Sequence, residues 1–252
     1  MNKLAHLYSV VICCLFTFYS HQSYSQQLDV GVEPFPPLIN EDGSGFVVDM
    51  LNSLSRNSDL QFNFHVMTYA RAKKDLQSQR LNLIGLTPFQ LETQNFYQYA
   101  NELNWGINTH VDFFSLHEKH FDIEQLSDGS IGTLTGNAEF FAEIINVPAA
   151  KFIEVSSLAQ LVRMLSLGRL KVILFERAST ITAIAALKID NIYYKNMGVV
   201  PASLAVSNSP QGIKLKAQLD KLLLGVDNKK FFNDFIIYNN MPESGQIINN
   251  QN

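Results

Sequence analysis

The chain has 252 residues, 46% apolar and 17% charged, and carries a net charge of −4 at neutral pH. That is a globular composition, with room for one large domain or two small ones. No basic run appears anywhere, which argues against nucleic acid or an anionic lipid surface as partner.

The first 25 residues differ from the rest. Lys3 opens a short positive region, Leu7–Phe18 is an apolar run, and Ser23-Tyr24-Ser25 places small residues at the positions a signal peptidase reads. This is the pattern of a cleaved secretory signal with Gln26 as the new terminus. The run is shorter than the ~20 residues that span a bilayer, which argues against an uncleaved anchor. Ile12 stands before Cys13 where a lipoprotein signal wants a small residue. Both cysteines, Cys13 and Cys14, leave with the signal. The mature chain then enters an oxidising compartment with no thiol, so it has neither a cysteine nucleophile nor a thiolate metal site. A chain of this length builds its core without disulfides.

Leu28, Val30 and Val32 alternate with other residues as in a strand. Val47, Met50, Leu51 and Leu54 fall at helical spacing within 46–56, and Phe62, Phe64 and Val66 alternate again. A short helix follows with Ala72 and Leu76 on one face, then a buried strand over 81–87. The sequence reads strand–helix–strand–helix–strand, which favours a parallel sheet. The layout then returns. A strand at 131–133 precedes a helix over 137–146 with Phe141, Ile144 and Ile145 inward, and a strand at 152–155 follows. A helix over 157–167 carries Leu158, Leu161, Val162 and Leu165 and stops at Gly168. A second buried strand at 170–175 leads to a helix through Ile181 and Ile184. Residues 201–207 are extended, Ser209 caps a helix that begins at Pro210, and a last helix carries Phe231, Phe232, Phe235 and Ile236. The polar tail is expected to fray.

One layout used twice implies two α/β lobes: 26–110 with a return over 198–240, and 111–197, with 241–252 a flexible tail. Hinge segments near Val111–Phe114 and Met197–Leu204 would join them. Ligands of open α/β sheets sit beyond the carboxyl ends of the strands, so two facing edges would enclose a small molecule and close on it.

GVEPFPPLINEDGSGFVVDML (31–51) resembles the opening of bacterial extracellular solute-binding proteins of family 3, with Pro36-Pro37 followed by Gly45-Phe46-Val47-Val48-Asp49-Met50. The likeness continues through 71–87, 131–140, 161–176 and 200–209. The resemblance implies the type II periplasmic-binding-protein-like fold, two α/β lobes joined by two hinge strands. It further implies a monomeric periplasmic receptor of amino-acid-like solutes for an ABC importer, with a permease as partner and no cofactor or metal.

The resemblance nominates Phe35 as a ring against the ligand and Tyr69 as a second; a core ring is the alternative for Phe35, and a packing residue at the helix start for Tyr69. Thr87 ends the central strand with a hydroxyl. Glu92 falls where amino-acid receptors carry the arginine that binds an α-carboxylate. That departure matters, because a carboxylate cannot hold a carboxylate at neutral pH; a solvated loop charge is its alternative. Arg71 could substitute, unless it pairs with Asp75 one turn on. Thr135 and Asn137 lie at a helix start suited to an anionic group, where Asn137 could simply cap. Glu176 stands where those receptors carry an aspartate for the ligand ammonium. Together these sites suit a small polar, amine-bearing solute. An unattached periplasmic sensor or accessory protein is the alternative reading, and a dehydratase or lyase on the same fold a further one. No Gly-x-Ser-x-Gly, His-Glu-x-x-His or phosphate loop is present, and His110, His117 and His120 read as solvated histidines rather than a zinc site.

Overall fold

The computed structural model describes residues 25–248. The expected signal peptide, with Cys13 and Cys14, lies outside the described residues apart from Ser25. No helix among those described is long and apolar enough to cross a membrane.

The first half builds as its pattern dictates. Strand β1 (Gln26–Val32) buries Leu28, Val30 and Val32 completely and lies parallel to β2 (Leu60–Val66) and β3 (Leu83–Pro88). Helices α1 (Phe46–Ser55) and α2 (Tyr69–Gln77) make the crossovers. A short α3 (Gln94–Tyr97) and β4 (Ala100–Glu102) lead into β5 (Ile107–Ser115).

The second half repeats the plan with β6 (Ile131–Leu134), α4 (Ala138–Ile144), β7 (Phe152–Val155), α5 (Leu158–Ser166), β8 (Val172–Glu176) and α6 (Arg177–Ala186). Ser157 caps α5 by accepting from the Gln160 amide at 3.3 Å. Leu158, Leu161, Val162 and Leu165 are all buried, as their spacing requires. The chain returns along β9 (Ile192–Ser207) and ends with α7 (Pro210–Leu223), α8 (Asn228–Phe232), α9 (Ile236–Asn239) and β10 (Ser244–Ile247). Ser209 caps α7 through the Gly212 amide at 3.1 Å.

The strand order is β2-β1-β3-β9-β5-β8-β6-β7. Two parallel triplets therefore flank two long antiparallel strands, β5 and β9, which belong to both. The ladder is continuous and curled, but the hydrophobic interior is divided. One core gathers β1–β3, α1, α7 and Phe232 and Phe235; the other gathers β6–β8, α4, α5 and the first part of β9. A third, small cluster fills the space under α2 and α3. Phe35 packs against both large cores. The register between β5 and β9 slips between Val111 and Asp112, inside the expected hinge segment.

Three expectations need correction. Helix α4 ends at Ile144, and it is Phe140, Phe141 and Ala142 that point inward, while Ile144 is 39% exposed. Asn146 adopts φ +52° and the Val147 amide donates back to the Ala142 carbonyl, so the turn closes early. The tail from 241 is not loose throughout: Ser244–Ile247 pairs antiparallel with Ile192–Lys195. Its mostly polar sequence hid a strand held chiefly by backbone pairing, with Ile247 packed against the second core. Finally, β5 and β9 are far longer than the short hinge segments expected from the sequence.

Candidate functional site

The carboxyl ends of β1, β3 and β8 meet across the divide around a small cavity of about 40 Å³, space for one or two waters. Glu33, directly after β1, and Thr87 and Pro88 at the end of β3 line one side. Glu176, Phe175, Asn137, Phe140 and Phe141 line the other, while Thr109, Val111, Val200 and Ala202 of the long strands form the floor. The two sides touch. The Phe35 and Phe175 rings lie 5.4 Å apart, the Ala70 amide donates to the Thr135 carbonyl at 3.4 Å, and Lys73 Nζ donates to the Gly136 carbonyl at 3.3 Å. Glycine is required at 136, where φ is +102° and a Cβ would stand 2.6 Å from the Ala70 nitrogen.

Two carboxyl groups face this cavity. Glu33 is 5% exposed and Glu176 2% exposed. Glu33 accepts from the Tyr69 amide and from Asn137 Nδ2, each at 3.3 Å. Burial outweighs these bonds and pushes its pKa up to about 8. Glu176 caps α6, accepting from the amides of Ala178 at 2.9 Å and Ser179 at 2.7 Å. Burial again dominates, and the group rises to about 7. Glu33 therefore keeps its proton at neutral pH, and Glu176 is close to half protonated there.

A second acidic network stands behind Thr87. The Thr87 hydroxyl donates to Glu102 Oε1 at 2.9 Å, and the Tyr97 hydroxyl donates to Glu102 Oε2 at 3.2 Å. Glu102 is raised by burial. Tyr69 donates to Glu92 Oε1 at 2.6 Å, and Lys73 Nζ lies 3.5 Å from the same oxygen and 4.4 Å over the Tyr69 ring.

The sequence-nominated residues thus divide. Phe35, Thr87, Asn137 and Glu176 line the cavity. Tyr69 and Glu92 stand outside the lining, bound to each other, and so does Thr135, whose carbonyl accepts from the Ala70 amide. Glu92 is a buried partner of a phenol, not the solvated loop charge that was its alternative. Arg71 lies outside, its side chain 70% exposed and paired with Asp75 at 3.4 Å, the surface pairing left open above. Asn137 makes no capping bond; its amide faces Glu33 instead. Glu33 was missed. The signal for it was an acid directly after the buried alternation Leu28, Val30, Val32. His120 Nδ1 lies 3.0 Å from Ser115 Oγ, and His110 Nδ1 lies 3.0 Å from Asn196 Nδ2. Among the described residues no group of three or more His, Cys, Asp or Glu side chains is placed to hold a metal.

No family model and no curated protein matches the chain. Solved structures do match. An arginine-bound, truncated ArgBP from T. maritima aligns with a TM-score of 0.64 at 15% identity, covering 80% of this chain and 96% of that one. An ABC uptake transporter substrate-binding protein from Streptococcus pneumoniae with bound histidine gives a TM-score of 0.64 at 15% identity, covering 86% and 93%. A histidine kinase sensor domain with similarity to periplasmic binding proteins gives 0.65 at 13%, covering 86% and 95%. At such identities the likeness is one of fold. The chain has the two-lobed fold of periplasmic binding proteins, the architecture expected from its doubled layout.

Proposed function

We propose that this protein is a solute receptor of the periplasm that captures a small polar, amine-bearing molecule between its lobes and returns it unchanged. The lobes are proposed to be residues 26–110 with 198–240, and 111–197. The observation that carries this reading is the pair Glu33 and Glu176, two buried carboxyls contributed by opposite sides to one cavity with no lysine or arginine among its lining residues. Burying unpaired acids costs free energy, and a cationic guest would offset that cost. The long strands β5 and β9 supply the two hinges, and delivery to an ABC permease by a monomeric receptor is the role proposed. The likeness to a kinase sensor domain supports a second reading, in which the same capture serves signalling. Uptake by a reconstituted permease separates the two.

Thermal-shift screening of the purified protein against amino acids, polyamines and related amines tests the reading. Solute that binds only the folded chain stabilises it by RT ln(1 + c/Kd) at free concentration c, and so raises the melting temperature as c grows. Glu176→Gln keeps an acceptor for the α6 amides but loses the charge, and is expected to weaken binding of any hit about tenfold or more, the worth of a charge-assisted hydrogen bond. A panel in which no compound shifts the melting would remove the proposal.

A further inference from the structure

The proposed reading leaves open whether the guest also carries an acid group, as an amino acid does. The hydrogen-bond inventory around the cavity answers that. An anion needs donors, and those near the cavity are committed elsewhere. Arg71 and Arg80 both bind Asp75. Lys73 is shared between Glu92 and the Gly136 carbonyl. Arg177 is held by Asp112 and by the carbonyls of Tyr238 and Met241. The helix-start amides of Gly136 and Ala138 donate to Glu154 Oε1 at 2.9 and 2.8 Å. The amides of Ala178 and Ser179 donate to Glu176. The hydroxyls that line the cavity are committed too, Thr87 to Glu102 and Thr109 to the Val200 carbonyl at 2.7 Å. Asn137 Nδ2 serves Glu33 and the Leu134 carbonyl.

Along the lining, the donors left uncommitted are the protons of the two acids themselves, which leave when the groups ionise. Once ionised, each cavity carboxyl uses two of about four lone-pair directions and keeps acceptors free. Around them stand Phe35, Phe140, Phe141 and Phe175, whose ring faces attract cations and pack apolar bodies.

Resting on the cleft-binding reading, we infer that the guest is an amine without an acid group, its ammonium held by Glu33 and Glu176 and an apolar or aromatic body against the phenylalanines. The exchange balances simply. The ammonium arrives with its own charge, the carboxyl it pairs with releases a proton to solvent, and the cavity stays near neutral. Glu33 is faced by the Tyr69 amide and phenol, Asn137, Lys73 and Glu154, and Glu176 by Asp112 and its own helix amides. Glu154 and Asp112 add negative charge, so Lys73 is the sole cation acting on either group in this set, and it is shared with Glu92. Affinity for the amine therefore rises from pH 6 to pH 8.

Calorimetric titration of the purified protein with phenethylamine, phenylalanine and 3-phenylpropionate, and with agmatine and arginine, tests this on the unaltered chain. The expected results are binding of phenethylamine or agmatine at least tenfold tighter than its carboxylated counterpart, no binding of phenylpropionate, and about one proton released per amine at pH 7, read from buffers of different ionisation enthalpy. Glu33→Gln, checked for cooperative melting, is expected to cut the proton release at pH 7 by about half or more, leaving only the share of Glu176. If phenylalanine or arginine binds more tightly than its decarboxylated counterpart, the inference is overturned while the cleft reading stands. If amines and amino acids alike fail to bind, the cleft reading falls and takes the inference with it.

Discussion

Arg177→Met is expected to lower stability by about 3–5 kcal/mol, the cost of leaving a buried charge without its partner. Arg177 and Asp112 are both wholly buried. They meet through two parallel bonds, Nε to Oδ2 at 2.6 Å and Nη2 to Oδ1 at 3.0 Å. Nη1 donates to the carbonyls of Tyr238 and Met241, each at 3.2 Å, and the guanidinium lies 5.5 Å over the Tyr194 ring. Asn196 Nδ2 adds a bond to Asp112 at 2.9 Å. One side chain therefore ties β5, β9, the start of α6, α9 and the segment after it together, outside the lining of the cavity. Removing it strands the Asp112 carboxylate and two carbonyls. Urea denaturation should show the midpoint fall at unchanged slope, with a melting temperature lower by roughly 10 °C for a chain of this size. Adding Asp112→Leu to that variant should restore most of the loss, because the uncompensated charge is then gone. A single variant that costs less than about 1 kcal/mol would show the pair to be dispensable.

Raising the pH from 5 to 8 is expected to destabilise the closed, empty protein. Glu33 is held at about 8 and Glu176 at about 7, against an ordinary 4.5. With a raised pKa, the buried group keeps its proton after its solvated counterpart has lost it, so the unfolded chain binds fewer protons and stability falls with pH. The contribution is complete below pH 4.5 and is lost progressively up to about pH 8. Integrated over both groups the penalty is on the order of 3–6 kcal/mol, a large share of the ~5–15 kcal/mol that a domain possesses. A protein with hinges need not unfold to escape it: opening the cleft returns both acids to water. The observed loss of stability should therefore be smaller than that sum. Melting temperatures at pH 5, 6.5 and 8 should decline for the parent chain and flatten for Glu33→Gln. Equal slopes in the two would show that Glu33 carries no such linkage.

Much of the architecture was legible because side-chain periodicity determines it. Leu28, Val30 and Val32 announce a buried strand, and Leu158 through Leu165 a one-sided helix. The doubling of the strand–helix order announces two lobes. Other parts lie beyond periodicity. Strand β9 changes neighbours midway, facing β5 and β10 over its first part and β3 and β4 over its last. No single alternation runs through IYYKNMGVVPASLAVS, so only residues 201–207 read as extended. Strand β10 is defined by backbone pairing that its mostly polar side chains do not betray.

The site was half legible for a related reason. Phe35, Thr87 and Glu176 sit where strand ends must converge, and the sequence locates strand ends. Whether a polar side chain turns inward or is taken by a neighbour is decided by tertiary partners. Asp75 holds Arg71 on the surface, Tyr69 holds Glu92 in the interior, and Glu154 occupies the amides beside Asn137. Glu33 follows a strand that alternates buried apolar with polar residues, so its inward turn is decided by the Tyr69 amide and Asn137 that meet it.

The most direct test of a guest-gated cleft between two carboxyl-bearing lobes is a distance between them. Spin labels at Asn52→Cys on α1 and Ser166→Cys on α5, both exposed, report it by pulsed dipolar spectroscopy. The account predicts a long or broad distribution for the empty protein at pH 8, and a single short distance at pH 5 or once a binding amine is added at pH 8. One distance, unchanged by pH and by every amine that binds, would contradict it.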